Sequence, residues 1–147
     1  MHFEGEFDVA ASQEKVFGVV TDPRQVAGCM PGLQKVDVNS ADDFEAVVRV
    51  GAGFVKGDFT MRFKMEEKEP PSRAKMVAHG NGLGSAVDLE IALKVGEAKG
   101  GRTSMNWAAE AVVSGKLASI GQRLMESTAQ KIIGQFFECL RGRLEGP

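Results

Sequence analysis

Apolar residues recur at every second position through most of the first 113 residues. From 116 to 144 they recur every 3.6 residues instead. No other feature restricts the fold as much as this change of period. A strand alternates its side chains between two faces, and a helix collects apolar residues on one stripe. A long amphipathic helix that follows a run of strands must bury its stripe against the sheet those strands form.

The strand readings are specific. Phe3, Gly5, Phe7 and Val9 alternate with His2, Glu4, Glu6 and Asp8. Ser12 then caps a short helix with Glu14 in its first turn and Val16, Val19 and Val20 on its inner side. Asp22-Pro23 opens a second short helix, with Val26, Cys29 and Met30 apolar and Pro31-Gly32 as its stop. Further strands are expected over Leu33 to Val38, around Phe44 to Val50, around Phe59 to Met65, around Ala74 to Ala78, around Val87 to Val95 and around Met105 to Val113. Pro70-Pro71, Gly80-Asn81-Gly82-Leu83-Gly84 and Gly100-Gly101 supply turns. This predicts seven antiparallel strands joined by short connections.

In the last segment Leu117, Ala118, Gly121, Leu124, Met125, Thr128, Ala129, Ile132, Ile133, Phe136, Cys139 and Leu140 share one face. The spacing predicts a single helix of about 40 Å over 116–144. A long twisted sheet would curl around it. The expected class is therefore α+β: a helix-grip arrangement with a seven-stranded curved antiparallel sheet, a long C-terminal helix and two short helices after strand 1. With no repeats or linkers, 1–147 is read as one domain. Gly121, Thr128, Ala118 and Ala129 are small for an inner helical face, which leaves room for a cavity.

Charge and composition exclude some functions. Eighteen Lys and Arg against 20 Asp and Glu give −2, too near neutral for a protein that holds phosphate backbones. Two His, one Trp and no Tyr leave few groups for acid–base chemistry. Cys29 and Cys139, 110 positions apart, match no metal or redox spacing. Two unrelated buried thiols in a reducing compartment are the expectation, with a disulfide as the alternative. Three acids in the first eight residues argue against a signal peptide, and no apolar run is long enough to span a bilayer. A cytoplasmic protein follows, with a peripheral position at the inner face of the membrane left open.

In this order of elements, the sequence resembles the SRPBCC (START-like) superfamily. Within it, the sequence resembles the CoxG family of carbon monoxide dehydrogenase proteins. The stretches that carry the resemblance are Phe3-Glu4-Gly5-Glu6-Phe7, Thr21-Asp22-Pro23, Cys29-Met30-Pro31-Gly32 and the hairpin within Val50 to Phe59. To these are added Gly115-Lys116-Leu117-Ala118-Ser119-Ile120-Gly121-Gln122-Arg123 and Gln135-Phe136-Phe137-Glu138. They are scaffold motifs with no catalytic signature. The resemblance implies a hydrophobic-cavity protein that assists a CO dehydrogenase-type molybdenum hydroxylase. It implies the handling of a lipophilic ligand such as a quinone or lipid, recruitment to a membrane, or both.

The candidate cavity residues are Met30, Phe54, Met61, Phe63, Met76, Leu89, Trp107, Leu124, Met125, Thr128 and Phe136. Met adapts to varied ligand shapes, and Trp107 offers a flat face and one N–H donor. Thr128 is a polar candidate, whereas Asn106 has the opposite strand parity from Trp107 and should face solvent. Gly51-Ala52-Gly53-Phe54-Val55-Lys56-Gly57 resembles a phosphate loop, yet no Gly-Lys-Ser/Thr follows and no helix opens there. It reads as a hairpin turn, with Phe54 and Val55 as an apolar lip. His79 shares parity with Arg73, Lys75 and Val77, on the expected outer face. His2 and His79 lack companion ligands, so no metal site is expected. Ile120 and Phe137 fall off the main helical face, for contact either with the short helices or with a partner. Residues 116–145 carry net +2, leaving −4 elsewhere. The expected protein is a non-enzymatic binder with no covalent cofactor and no catalytic residues. The alternative is a cyclase or aromatase acting in the same cavity, with Glu110, Arg49 or His79 turned inward.

Overall fold

The structure, a computed structural model, describes residues 1–146. Strand β1 (His2–Val9) is followed by helices α1 (Gln13–Val20) and α2 (Pro23–Gly28). Six strands follow: β2 (Leu33–Ser40), β3 (Asp43–Ala52), β4 (Val55–Glu69), β5 (Arg73–Gly82), β6 (Ser85–Val95) and β7 (Thr103–Gly115). A short 3-10 turn (Lys116–Ile120) leads to the long helix α3 (Gln122–Glu145). The sheet order is β1-β7-β6-β5-β4-β3-β2, antiparallel throughout. This is the helix-grip arrangement.

Local chemistry sets the element ends. The Ser12 hydroxyl accepts the Lys15 amide at 3.2 Å, and the Asp22 carboxylate accepts the Arg24 amide at 2.9 Å, with Pro23 in the first turn. Each such cap contributes about 1 kcal/mol. Along β1, Phe3, Phe7 and Val9 are buried while the acids between them face water, as the alternation requires. Irregular pairing in β2 and between Met65 and Glu67 in β4 lets the long strands bend around the helix.

Three expectations need correction. The segment 116–144 is not one helix. Gly121 adopts φ +96°, which an L side chain strongly resists, and so divides the 3-10 turn from α3. Periodicity ran through it because a single displaced turn leaves the apolar spacing nearly unchanged. The cysteines are not unrelated thiols: Cys29 and Cys139 form a disulfide, with their Cα atoms 5.5 Å apart. Cys29 ends α2 where that helix meets α3, an approach that sequence separation conceals. The inference of a reducing compartment thereby loses its premise. Val55 is buried and forms no lip; Phe54 alone projects.

The core has two parts. One joins β1, β7, α1 and the C-terminal end of α3 through Phe7, Val9, Val16, Phe17, Met105, Leu140 and Leu144. The other lies on β3, β4 and β5 beneath α2, through Val26, Phe44, Ala46, Phe59, Met61 and Phe63. Phe44 and Phe63 stack there with ring centres 4.7 Å apart. Phe136 and Met65 border both parts.

Candidate ligand cavity

Helix α3 is held at one end. Leu140 and Leu144 are its fully buried side chains. The Cys139 disulfide lies beside them, and Arg143 donates to the Gln25 amide oxygen at 2.5 Å. Lys15 donates to the Leu144 carbonyl at 3.0 Å, and the Glu145 carboxylate accepts the Ala10 amide at 2.8 Å. That amide bond holds the Glu145 carboxyl below its ordinary range, aided by Arg141. The Arg141 guanidinium also sits 5.0 Å over the Phe7 ring.

The N-terminal half of α3 is different. Leu124 and Ile132 are 39% and 38% exposed, and Met125, Thr128, Ala129 and Ile133 are half-buried. The close backbone approaches of α3 are to α1, β1, β3 and the 3-10 turn, rather than to the middle of β6 and β7. On those strands the inward residues Val87, Leu89, Ile91, Leu93, Trp107 and Ala109 are also only half-buried. Two apolar surfaces, one on β6–β7 and one on the N-terminal half of α3, are therefore only partly covered. These facing, half-buried apolar side chains are the candidate site for an apolar molecule.

The expected cavity residues divide among three places. Leu89, Trp107, Met125, Thr128 and Phe136 are half-buried on the strands and helix that carry the candidate site. Met61, Phe63 and Met76 are buried in the packed part of the core. Met30 is half-buried near α2, and Leu124 and Phe54 are exposed, Phe54 at 69%. The sequence reading missed Val87, Ile91 and Phe137. Val87 and Ile91 share the parity of Leu89, which was the available signal. Phe137 lies off the helical stripe, yet its ring packs on Phe7 and Trp107 at 5.0 and 5.2 Å. A curved sheet touches the helix over a wide arc, and a flat-face projection cannot register that.

Trp107 stands opposite Gly5 across the β1–β7 pair. The β3–β4 turn, the β5–β6 turn and the 3-10 turn meet near the start of α3. The Ser85 hydroxyl accepts the Leu117 amide at 2.7 Å and fixes the 3-10 turn to β6. Leu124 Cδ2 comes within 3.0 Å of where a Cβ on Gly53 would lie, so the helix start and the hairpin tip touch.

Titratable groups line the other side of the sheet. His79 pairs with Asp88 at 2.7 Å, Arg49 with Asp58 at 3.0 Å and Lys75 with Glu90 at 2.6 Å, all with partly or largely exposed side chains. His2 bonds both Glu4 and Glu110, and these carboxylates raise its pKa. An outer depression lies around the His79–Asp88 pair, lined also by Arg62, Lys64, Glu90 and Glu110. His79, Arg49 and Glu110 thus lie outside the candidate site.

Comparisons with solved structures agree with the fold. The structure of a conserved protein from Geobacillus kaustophilus superposes with TM-score 0.90 at 23% identity, over 99% of this chain and 95% of that one. A START superfamily protein from Mycobacterium smegmatis gives 0.73 at 11% identity, over 98% and 97%. The Zhui aromatase/cyclase from Streptomyces sp. R1128 gives 0.68 at 16% identity, over 99% and 93%. At these identities the likeness is one of fold. No curated protein matches the chain significantly. The profile of CoxG, a family described as a carbon monoxide dehydrogenase subunit, matches residues 5–145. With that match spanning nearly its whole length, the chain belongs to the CoxG family.

Proposed function

We propose that this protein is a non-enzymatic carrier of a lipophilic ligand that serves a CO dehydrogenase-type molybdenum hydroxylase. The observation that carries the reading is the partly covered pair of apolar surfaces, β6–β7 on one side and the N-terminal half of α3 on the other. Covering about 200 Å² of apolar ligand surface there contributes about 5 kcal/mol before the costs of binding. The ligand is held non-covalently and is of quinone or lipid type. The family name supports the link to the enzyme.

A cyclase-type reaction would need an acid or base beside the ligand. The three residues considered for it, Glu110, Arg49 and His79, project from the opposite face of the sheet.

Native mass spectrometry of protein purified from its own host, followed by solvent extraction, tests the proposal. The expected result is an apolar small molecule near one per chain. Protein that arrives empty and takes up no fluorescent lipid analogue would overturn it.

A further inference from the structure

Helix α3 changes character at Cys139. On the C-terminal side Leu140 and Leu144 are fully buried, whereas every residue from Gln122 to Glu138 is exposed or half-buried. Cys139 itself is half-buried, and its partner Cys29 is 4% exposed. Their bond therefore stands at the boundary between the fastened and the partly covered halves of the helix. It also ties the two parts of the core together. Cys29 ends α2, whose Val26 and Ala27 pack on β3, β4 and β5, while Leu140 beside Cys139 packs with β1 and β7.

Four other ties hold the fastened end, and all lie beyond Cys139. Lys15 bonds the Leu144 carbonyl, Glu145 the Ala10 amide and Arg143 the Gln25 side chain, and Arg141 lies over the Phe7 ring. On the other side of the bond, Phe136 and Phe137 occupy the turn before Cys139, with their rings edge to face at 5.6 Å. Phe137 lies on Trp107, and Phe136 borders both parts of the core. These aromatic rings belong to the candidate ligand site. Opening the bond leaves the four ties in place and loosens the turn that carries the rings.

We propose that the Cys29–Cys139 bond is a site of thiol–disulfide exchange that sets how firmly the ligand is held. The reactant is a dithiol. One of its thiolates attacks Cys139 Sγ, on the less buried of the two residues, and Cys29 leaves as a thiolate and takes up a proton. The second sulfur of the dithiol then displaces Cys139 from the mixed disulfide, and Cys139 takes up the second proton. The dithiol ends as a disulfide, and the protein gains two electrons and two protons. In the oxidised protein the bond fixes Phe136 and Phe137 against the ligand. In the reduced protein the chain stays folded on its other ties, the turn gains freedom, and the ligand leaves faster. This rests on the carrier reading, to which it adds the reaction that regulates release.

The test compares the full chain oxidised, reduced with dithiothreitol, and as C29S/C139S. Stopped flow reads the release of a nitrobenzoxadiazole-labelled fatty acid, hydrogen exchange reads α3, and circular dichroism with thermal midpoints reads the fold. The reduced protein keeps its circular dichroism at a lowered midpoint. Its amide exchange quickens over 124–138 more than over 140–145. It releases the probe at least about fivefold faster, since each side chain that must be ordered again on binding costs about two- to tenfold. Reoxidation restores slow release. C29S/C139S behaves as the reduced protein does, and dithiothreitol changes it no further.

Reduction that unfolds the chain overturns the proposal, because the bond would then be a staple alone. A bond that resists dithiothreitol until the chain is denatured overturns it too, as does a folded, reduced protein that releases the probe as slowly as the oxidised one. A probe that fails to bind even the oxidised protein counts against the carrier reading. The hold of the bond on its turn is then judged by the amides of 124–138, which quicken on reduction if the bond fixes that turn and stay unchanged if it does not.

Discussion

Gly5 and Trp107 are cross-strand partners, and the indole lies where a glycine side chain would be. A Cβ on Gly5 would come within 3.0 to 3.1 Å of Trp107 Cζ2, Cε2 and Nε1. Phe137 flanks the indole at 5.2 Å, so the ring has restricted freedom to retreat. Gly5→Ala should therefore destabilise the fold by about 1–2 kcal/mol through overpacking. Trp107 is the chain's one tryptophan, so intrinsic fluorescence reports the displacement directly. An unchanged emission maximum together with an unchanged thermal midpoint would contradict this packing.

Trp107→Ala bears on the ligand more than on the fold. The indole borders the candidate site on one side and packs on Phe137 on the other. A ligand lying on it would lose some 50–80 Å² of apolar contact, or about tenfold in affinity at about 25 cal/mol per Å². Displacement of a fluorescent lipid analogue measures this. Equal affinity in variant and wild type would place the ligand elsewhere.

The disulfide predicts a large stability effect. It closes a loop of 110 residues, and loop-closure entropy for such a length is worth about 4–5 kcal/mol. Reductant, or the double replacement of Cys29 and Cys139 by Ser, should lower the thermal midpoint by many degrees. Thiol titration of the untreated protein should find no free cysteine. Two titratable thiols in the oxidised preparation would refute the pairing.

Glu145 predicts acid sensitivity at one end of α3. Its folded pKa lies below the ordinary value of 4.5, chiefly through the bond from the Ala10 amide. Stability from this group is complete above the unfolded value and is lost as pH falls through the lower folded one. Glu145→Gln should remove that part of the acid-side slope in a plot of thermal midpoint against pH. His2 acts in the opposite sense. Its pKa is raised by Glu4 and Glu110, so its contribution is present at low pH and fades as pH rises through the raised value. Identical curves for wild type and E145Q would remove Glu145 from the account.

Much of this protein was legible in its sequence because strand and helix periods are local properties. The parity of β1 placed Phe3 and Phe7 inside and Glu4 and Glu6 outside, and the sheet obeys it. The same parity put His79 and Asn106 outside, where both are exposed. Asp22-Pro23 and Ser12 opened their helices as capping chemistry dictates.

What the sequence could not determine depends on which surfaces meet. Half of α3 is fastened and half is only partly covered, although its apolar stripe reads alike along its length. The difference arises because β1, α1 and α2 converge on Leu140 and Leu144 and leave Met125 and Thr128 half-covered. The bond between Cys29 and Cys139, the aromatic contacts of Phe137 and the break at Gly121 have the same origin. Each is set by curvature and proximity between segments distant in the chain, and local periodicity carries no information about either.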